Sequence, residues 1–243
     1  MMTLLMVWAV TGTEGIPLPY SPRMDDGITV VLLCCFFLSA YVLSRSRKFL
    51  LQLVKDFLLH RERTSIFATS TAADMRYLLL LTLQTCVLGG VCLFNYFNDI
   101  RPELVHHVPP FVLLGIYIGI CLLYLFLKWL LYSFLGWIFF DESTTSLWIE
   151  SYWTLLYYLG FALFPFALFI VYFDLNLYLT IIIGLILLFF TKILMLYKWL
   201  KLFCNNLYGS LLLILYFCAL EIIPCFILYQ AMMQLNDYLI IKF

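Results

Sequence analysis

Apolar residues run in long blocks along this chain, and polar residues gather in short intervals between them. The blocks near 27–43, 76–97, 110–127, 152–173, 177–197 and 208–229 are each close to the length a helix needs to cross a hydrocarbon core of about 30 Å. The first is the shortest and reaches full length only if it continues past Ser44. This pattern predicts an all-α fold, a polytopic transmembrane helical bundle with six spans and additional interfacial helices. The opening MMTLLMVWAV is too short to span and has no basic residue before it, and the Gly- and Pro-rich segment after it reads as irregular. Residues 1–26 are therefore expected to be an extracytoplasmic tail, with Asp25 and Asp26 placed to cap the first span. The membrane domain then occupies 27–243.

The one long polar interruption is 44–76. It carries Arg45, Arg47, Lys48, Lys55, Arg61, Arg63 and Arg76 against Asp56, Glu62 and Asp74. Basic loops stay on the cytoplasmic side, so this stretch predicts which side of the membrane each later loop faces. Lys128, Lys192, Lys198 and Lys201 fall on the same side under that scheme, and of the 14 basic residues only Arg23, Arg101 and Lys242 fall on the other. Six spans with both termini outside the cytoplasm satisfy the bias. Within the basic stretch Phe49, Leu50, Leu53, Val54, Phe57 and Leu58 recur at helical spacing. Two arrangements fit. The helix can lie along the inner face of the bilayer with Arg45, Arg47, Lys48 and Lys55 against anionic lipid, or it can continue the first span and pack on its neighbours.

The segment 128–140, KWLLYSFLGWIFF, can extend the third span or bend at Gly136 into an interfacial helix. Trp129, Tyr132 and Trp137 suit the headgroup level, which favours the bend and makes Lys128 the cytoplasmic boundary. Pro165 falls inside the fourth span. The very short turn 174–176 forces the fourth and fifth spans into an antiparallel hairpin.

Composition sharpens the class. Hydrophobic residues make up 65% of the 243, charged residues 12%, and mean hydropathy is +1.03, far from the make-up of a soluble domain. A net charge of zero argues against a nucleic-acid surface, so no nucleic-acid partner is expected. Of the eight cysteines all but Cys204 lie in apolar segments, where Cys acts as a small hydrophobe.

Glu221, near the middle of the sixth block, is the leading candidate for chemistry. A charged side chain there costs roughly 2.5–3.5 kcal/mol on insertion scales, so a donor, cation or water must meet it. Pro224 follows one turn later and cannot donate to the carbonyl of Leu220, which leaves a polar backbone atom beside the carboxylate. Lys192 is a possible partner, although its place near the inner end of its span also allows snorkelling; Gln84 and Asn95 are neutral alternatives. Glu221 either binds a proton, cation or headgroup, or fixes the bundle by bonding to a neighbouring helix. Gly115 and Gly119 form a G-x-x-x-G motif suited to close helix packing. His106 and His107, with Asp99 and Glu103 nearby, are read as an ordinary polar connection, because neighbours on an extended segment point apart. The sequence has no Gly-rich phosphate loop, H-E-x-x-H or G-x-S-x-G, and no catalytic residue, metal site or cofactor is assigned.

These features point to a non-enzymatic structural or accessory subunit of a cell-envelope complex, in contact with membrane lipids and with a membrane protein partner or further copies of itself. The alternatives are a small transporter or channel using Glu221, and a lipid-modifying membrane enzyme.

SPRMDDG before the first span, SRSRKF at its inner end, RERTSIF in the following loop and the six-span layout resemble the family called domain of unknown function 4271. The resemblance covers the chain from about Ser21 to its end. It implies an inner-membrane protein of Bacteroidota and carries with it no activity, cofactor or site residue.

Overall fold

Hydrocarbon offers the backbone no hydrogen-bond partner, so apolar runs of this length become helices, whose N–H and C=O groups are satisfied within the segment. The computed structural model describes residues 20–59, 72–139, 142–173, 175–203 and 218–242, and among these there is no strand. A short 3-10 turn, Pro22–Met24, leads into α1 (Asp26–Leu59). Then follow α2 (Ala72–Ile100), the single turn α3 (Leu104–His107), α4 (Pro110–Phe139), α5 (Glu142–Tyr172) and α6 (Leu177–Phe203). A π-helical turn at Cys218–Ile222 opens α7 (Ile223–Lys242). Five of these helices contain stretches long and apolar enough to cross a membrane: Asp26–Lys48, Arg76–Ile100, Pro110–Ile138, Thr145–Tyr172 and Leu177–Lys198. The sixth expected span falls partly on 204–217, and the loop at 60–71 and the tail at 1–19 likewise lie outside the described residues.

Helices α2 and α5 form the centre, packing on each other and each on α1, α4 and α6. Between helices in lipid, contact and shape matter more than water exclusion, so small residues decide how near two backbones come. On α2, a Cβ at Gly90 would lie 2.5 Å from Ile118 Cγ1 and 3.0 Å from the Ile118 backbone nitrogen of α4. On α5, Gly160 takes the side chain of Thr85 from α2 in the same way, and Thr85 Oγ1 reaches across to the Leu156 carbonyl at 3.3 Å. Gly115 and Gly119 behave differently from the motif's expectation: a Cβ at either meets nothing within 4 Å among the described residues. The close approach within the chain is made at Gly90, because α2 is the helix with neighbours on several sides.

One end of the bundle gathers the start of α1, the α2–α4 connection, the α5–α6 turn and the end of α7. Asp25 caps α1 with its Oδ1 accepting from the Gly27 N–H at 2.8 Å, and Tyr20 donates to its other oxygen at 2.6 Å. Burial, then that hydrogen bond and the charge of Asp25, push the Tyr20 phenol far above its ordinary value, so it remains a donor. Tyr172 donates to Thr29 at 3.0 Å, Tyr117 to Asn236 at 3.0 Å, and Arg101 pairs with Asp237. The 98–109 connection is more helical than expected: α2 runs on to Ile100, and 104–107 forms a turn of helix, not an extended loop.

At the opposite end α1 carries non-helical dihedrals at Ser46 (φ −113°, ψ 18°) and continues beyond it. Leu50 and Leu53 then pack with Leu81 of α2 and Tyr157 of α5, and Tyr158 donates to the Leu50 carbonyl at 2.7 Å. This matches the arrangement in which the helix continues and packs on its neighbours; Arg45, Arg47, Lys48 and Lys55 remain on its exposed side.

Residues 128–139 do not bend away into an interfacial helix. They extend α4 without a break, and Gly136 is where Thr145 of α5 approaches, not a hinge. The expected boundary of the fourth span also moves: polar residues from Glu142 onward form the first turns of α5, where an acidic side chain suits the positive end of the helix dipole.

Replacing Gly90 with Val is expected to force α2 and α4 apart and to cost about 1–3 kcal/mol through overpacking, read as a lower melting temperature of the detergent-solubilised protein. Gly119→Ala, whose Cβ meets nothing within 4 Å among the described residues, should not lower the melting temperature.

Candidate functional site: a buried lysine–glutamate–lysine cluster

Three helices converge on one carboxylate. The π-helical turn at Cys218–Ile222 carries Glu221, and Pro224, two residues beyond that turn, brings no N–H to the ladder. Glu221 is 1% exposed. Its Oε2 accepts from Lys128 of α4 at 2.5 Å and from Lys192 of α6. The Lys128 side chain is 1% exposed and that of Lys192 29%, so the two cations approach the same oxygen from unequal surroundings. Glu221 Oε1, also buried, has no hydrogen-bond partner among the described residues.

The helical repeat of α4 builds the wall around Lys128. Tyr124 and Tyr132, four residues to either side, share its face. The Lys128 amino group lies 5.8 Å and 5.3 Å from their ring centres and donates to the Tyr132 hydroxyl at 3.3 Å. Tyr132 in turn packs against Trp148 with the ring planes tilted by 39° and the centres 4.9 Å apart, and meets Tyr152 edge-on at 5.1 Å, both from α5. Tyr124 reaches the Cys225 sulfur of α7 at 3.1 Å. The result is a charged cluster enclosed by aromatic rings, with carboxylate and amines arranged for exchange of a proton or for holding a small ion.

Of the residues singled out in the sequence, Glu221, Lys192 and Pro224 come together here. Gln84 does not join them; it is buried and donates to Ser39 of α1 at 2.5 Å. Asn95 donates to Asp99 at 3.4 Å near the other end of α2. Lys128 is the correction. It is no boundary residue, because α4 continues for three turns past it and Glu221 supplies a counter-charge inside the bundle. The available signal was the pair of tyrosines four residues before and after it, which give a lysine within a helix an aromatic lining.

The family model described as Domain of unknown function (DUF4271) matches residues 28–232. The chain belongs to that family. All three charged residues of the cluster fall inside the DUF4271 match, as do SRSRKF and RERTSIF, whereas SPRMDDG precedes it. No curated protein and no solved structure matches the chain.

Within this DUF4271 protein, the cluster's residues should rank in stability. Glu221→Gln leaves the buried Lys128 amine and the partly exposed Lys192 amine without a carboxylate and is expected to cost most, on the order of 3–5 kcal/mol. Lys128→Met should cost less, since Lys192 still serves Glu221, and Lys192→Met least, because that side chain is the most exposed of the three. Thermal unfolding of the three variants in one detergent checks the order.

Proposed function

We propose that the protein is a small transporter or channel of the bacterial inner membrane, with Lys128, Glu221 and Lys192 as its intramembrane site. The observation that carries this reading is the excess of cations: a carboxylate that only tied helices together would need one lysine, and a second adds positive charge where charge is costly. Ionisable groups held inside a membrane bundle characteristically mark ion or proton paths. The distribution of Lys and Arg supports six spans with both termini outside the cytoplasm.

A second reading, an accessory subunit of a cell-envelope complex, is favoured by the Gly115 and Gly119 face of α4, which no described residue covers. Such a face suits close packing against a helix from another chain.

Purified protein reconstituted into liposomes is expected to carry an ion current or pH-gradient-driven flux absent from empty liposomes. Glu221→Asp, which keeps the charge but shortens its reach, should slow that flux while the protein still elutes as a folded species. Wild-type liposomes as tight as empty ones, together with a stoichiometric partner retained through purification in mild detergent, would instead establish the accessory reading.

A further inference from the structure

We infer that the cluster is a proton-sharing site: Lys128 and Lys192 form one ammonium and one neutral amine, and a proton passes between them beside Glu221. The inference deepens the transport reading and rests on it for its use in the cell. It begins from charge. A carboxylate and two ammonium groups sum to one net positive charge, and Glu221 and Lys128 are each 1% exposed. An uncompensated charge in a low-dielectric interior is removed most readily by loss or gain of a proton, and lysine, unlike arginine, gives up its proton when buried.

The geometry points the same way. Two full cations would be expected to divide the carboxylate, one to each oxygen. Here both amino groups crowd Oε2 while Oε1 stands without a partner among the described residues, an arrangement suited to one ammonium and one neutral amine. Among the described residues, the other titratable groups facing the cluster are Tyr124 and Tyr132 of α4, Tyr152 of α5 and Cys225 of α7. Phenols and thiols ordinarily keep their protons at neutral pH, so none of them supplies the missing negative charge.

The transfer is a simple exchange. An N–H bond of the Lys192 ammonium breaks, its electron pair stays on that nitrogen, and the proton forms a bond to the lone pair of the Lys128 nitrogen. Glu221 remains a carboxylate and the cluster remains neutral before and after. The difference in exposure gives the two lysines different roles: Lys192 exchanges with the surroundings and Lys128 receives inside the bundle.

Nitrogen NMR of the full chain labelled with nitrogen-15 at the lysine side-chain nitrogen, in lipid nanodiscs at neutral pH, reads the protonation state directly. A neutral-amine resonance, exchanging with an ammonium one, is the expected result. In Lys192→Arg the amine signal should belong to Lys128 and stop exchanging, and in Lys128→Arg it should belong to Lys192. Proton flux in either variant should fall on the order of 100-fold, since a permanently charged guanidinium cannot relay. If a variant fails to fold, the wild-type spectrum is sufficient to decide. Only ammonium resonances, or wild-type flux in Lys192→Arg, would overturn the proposal. An amine signal without any wild-type flux would leave the proton-sharing site standing and remove the transport reading.

Discussion

A carboxylate buried in an apolar bundle needs a cation, a donor or a proton beside it, and two lysines that meet this need organise one half of this bundle. Glu221 draws α4 and α6 to α7, although α4 lies far from it in sequence, and the rings of Tyr124 and Tyr132 flank Lys128 with Trp148 and Tyr152 packed on Tyr132. Breaking such a cluster leaves Glu221 and Lys128, each 1% exposed, without water to take the partner's place. It strands charges in a medium that cannot solvate them, which is why one electrostatic contact can dominate where apolar packing differs little from the packing of lipid.

The opposite end is held by neutral and surface contacts. Asn236 is fully buried and bonded to Tyr117, and Arg101 reaches Asp237. Around them Phe94, Phe97, Leu113 and Ile170 fill the interior in the usual close-packed way. The bundle thus joins a packed apolar end to a charged end, with the tight Gly90 and Gly160 crossings of α2 between them. Charge and close apolar packing are separated along the length of the bundle.

Much of this architecture could be read from periodicity, because a block of apolar residues long enough to span has few alternatives to a helix in lipid. The α5–α6 hairpin and the Asp25 cap follow from local residues and are present. Glu221 was conspicuous for the same physical reason that makes it important: its cost. Its partners were less legible. A lysine at the edge of an apolar run reads as a residue that snorkels, so Lys128 looked like a boundary until the partner on a distant helix was in view. Gly115 and Gly119 had the spacing of a packing motif, yet it is Gly89 and Gly90 of α2 that face a neighbouring helix, because one sequence does not say which side of a helix is occupied. The π-helical turn had only Pro224 and Glu221 as its trace, and a widened turn leaves no periodicity of its own over five residues.

The last helix is fastened at both ends, by Glu221 at one and by Asn236 and Asp237 at the other. At the rise of an α-helix those points stand about 22 Å apart. A strut pegged in this way has little freedom to slide along its own axis or to turn about it. The same contacts that settle the charges inside the bundle therefore fix the register of its last helix.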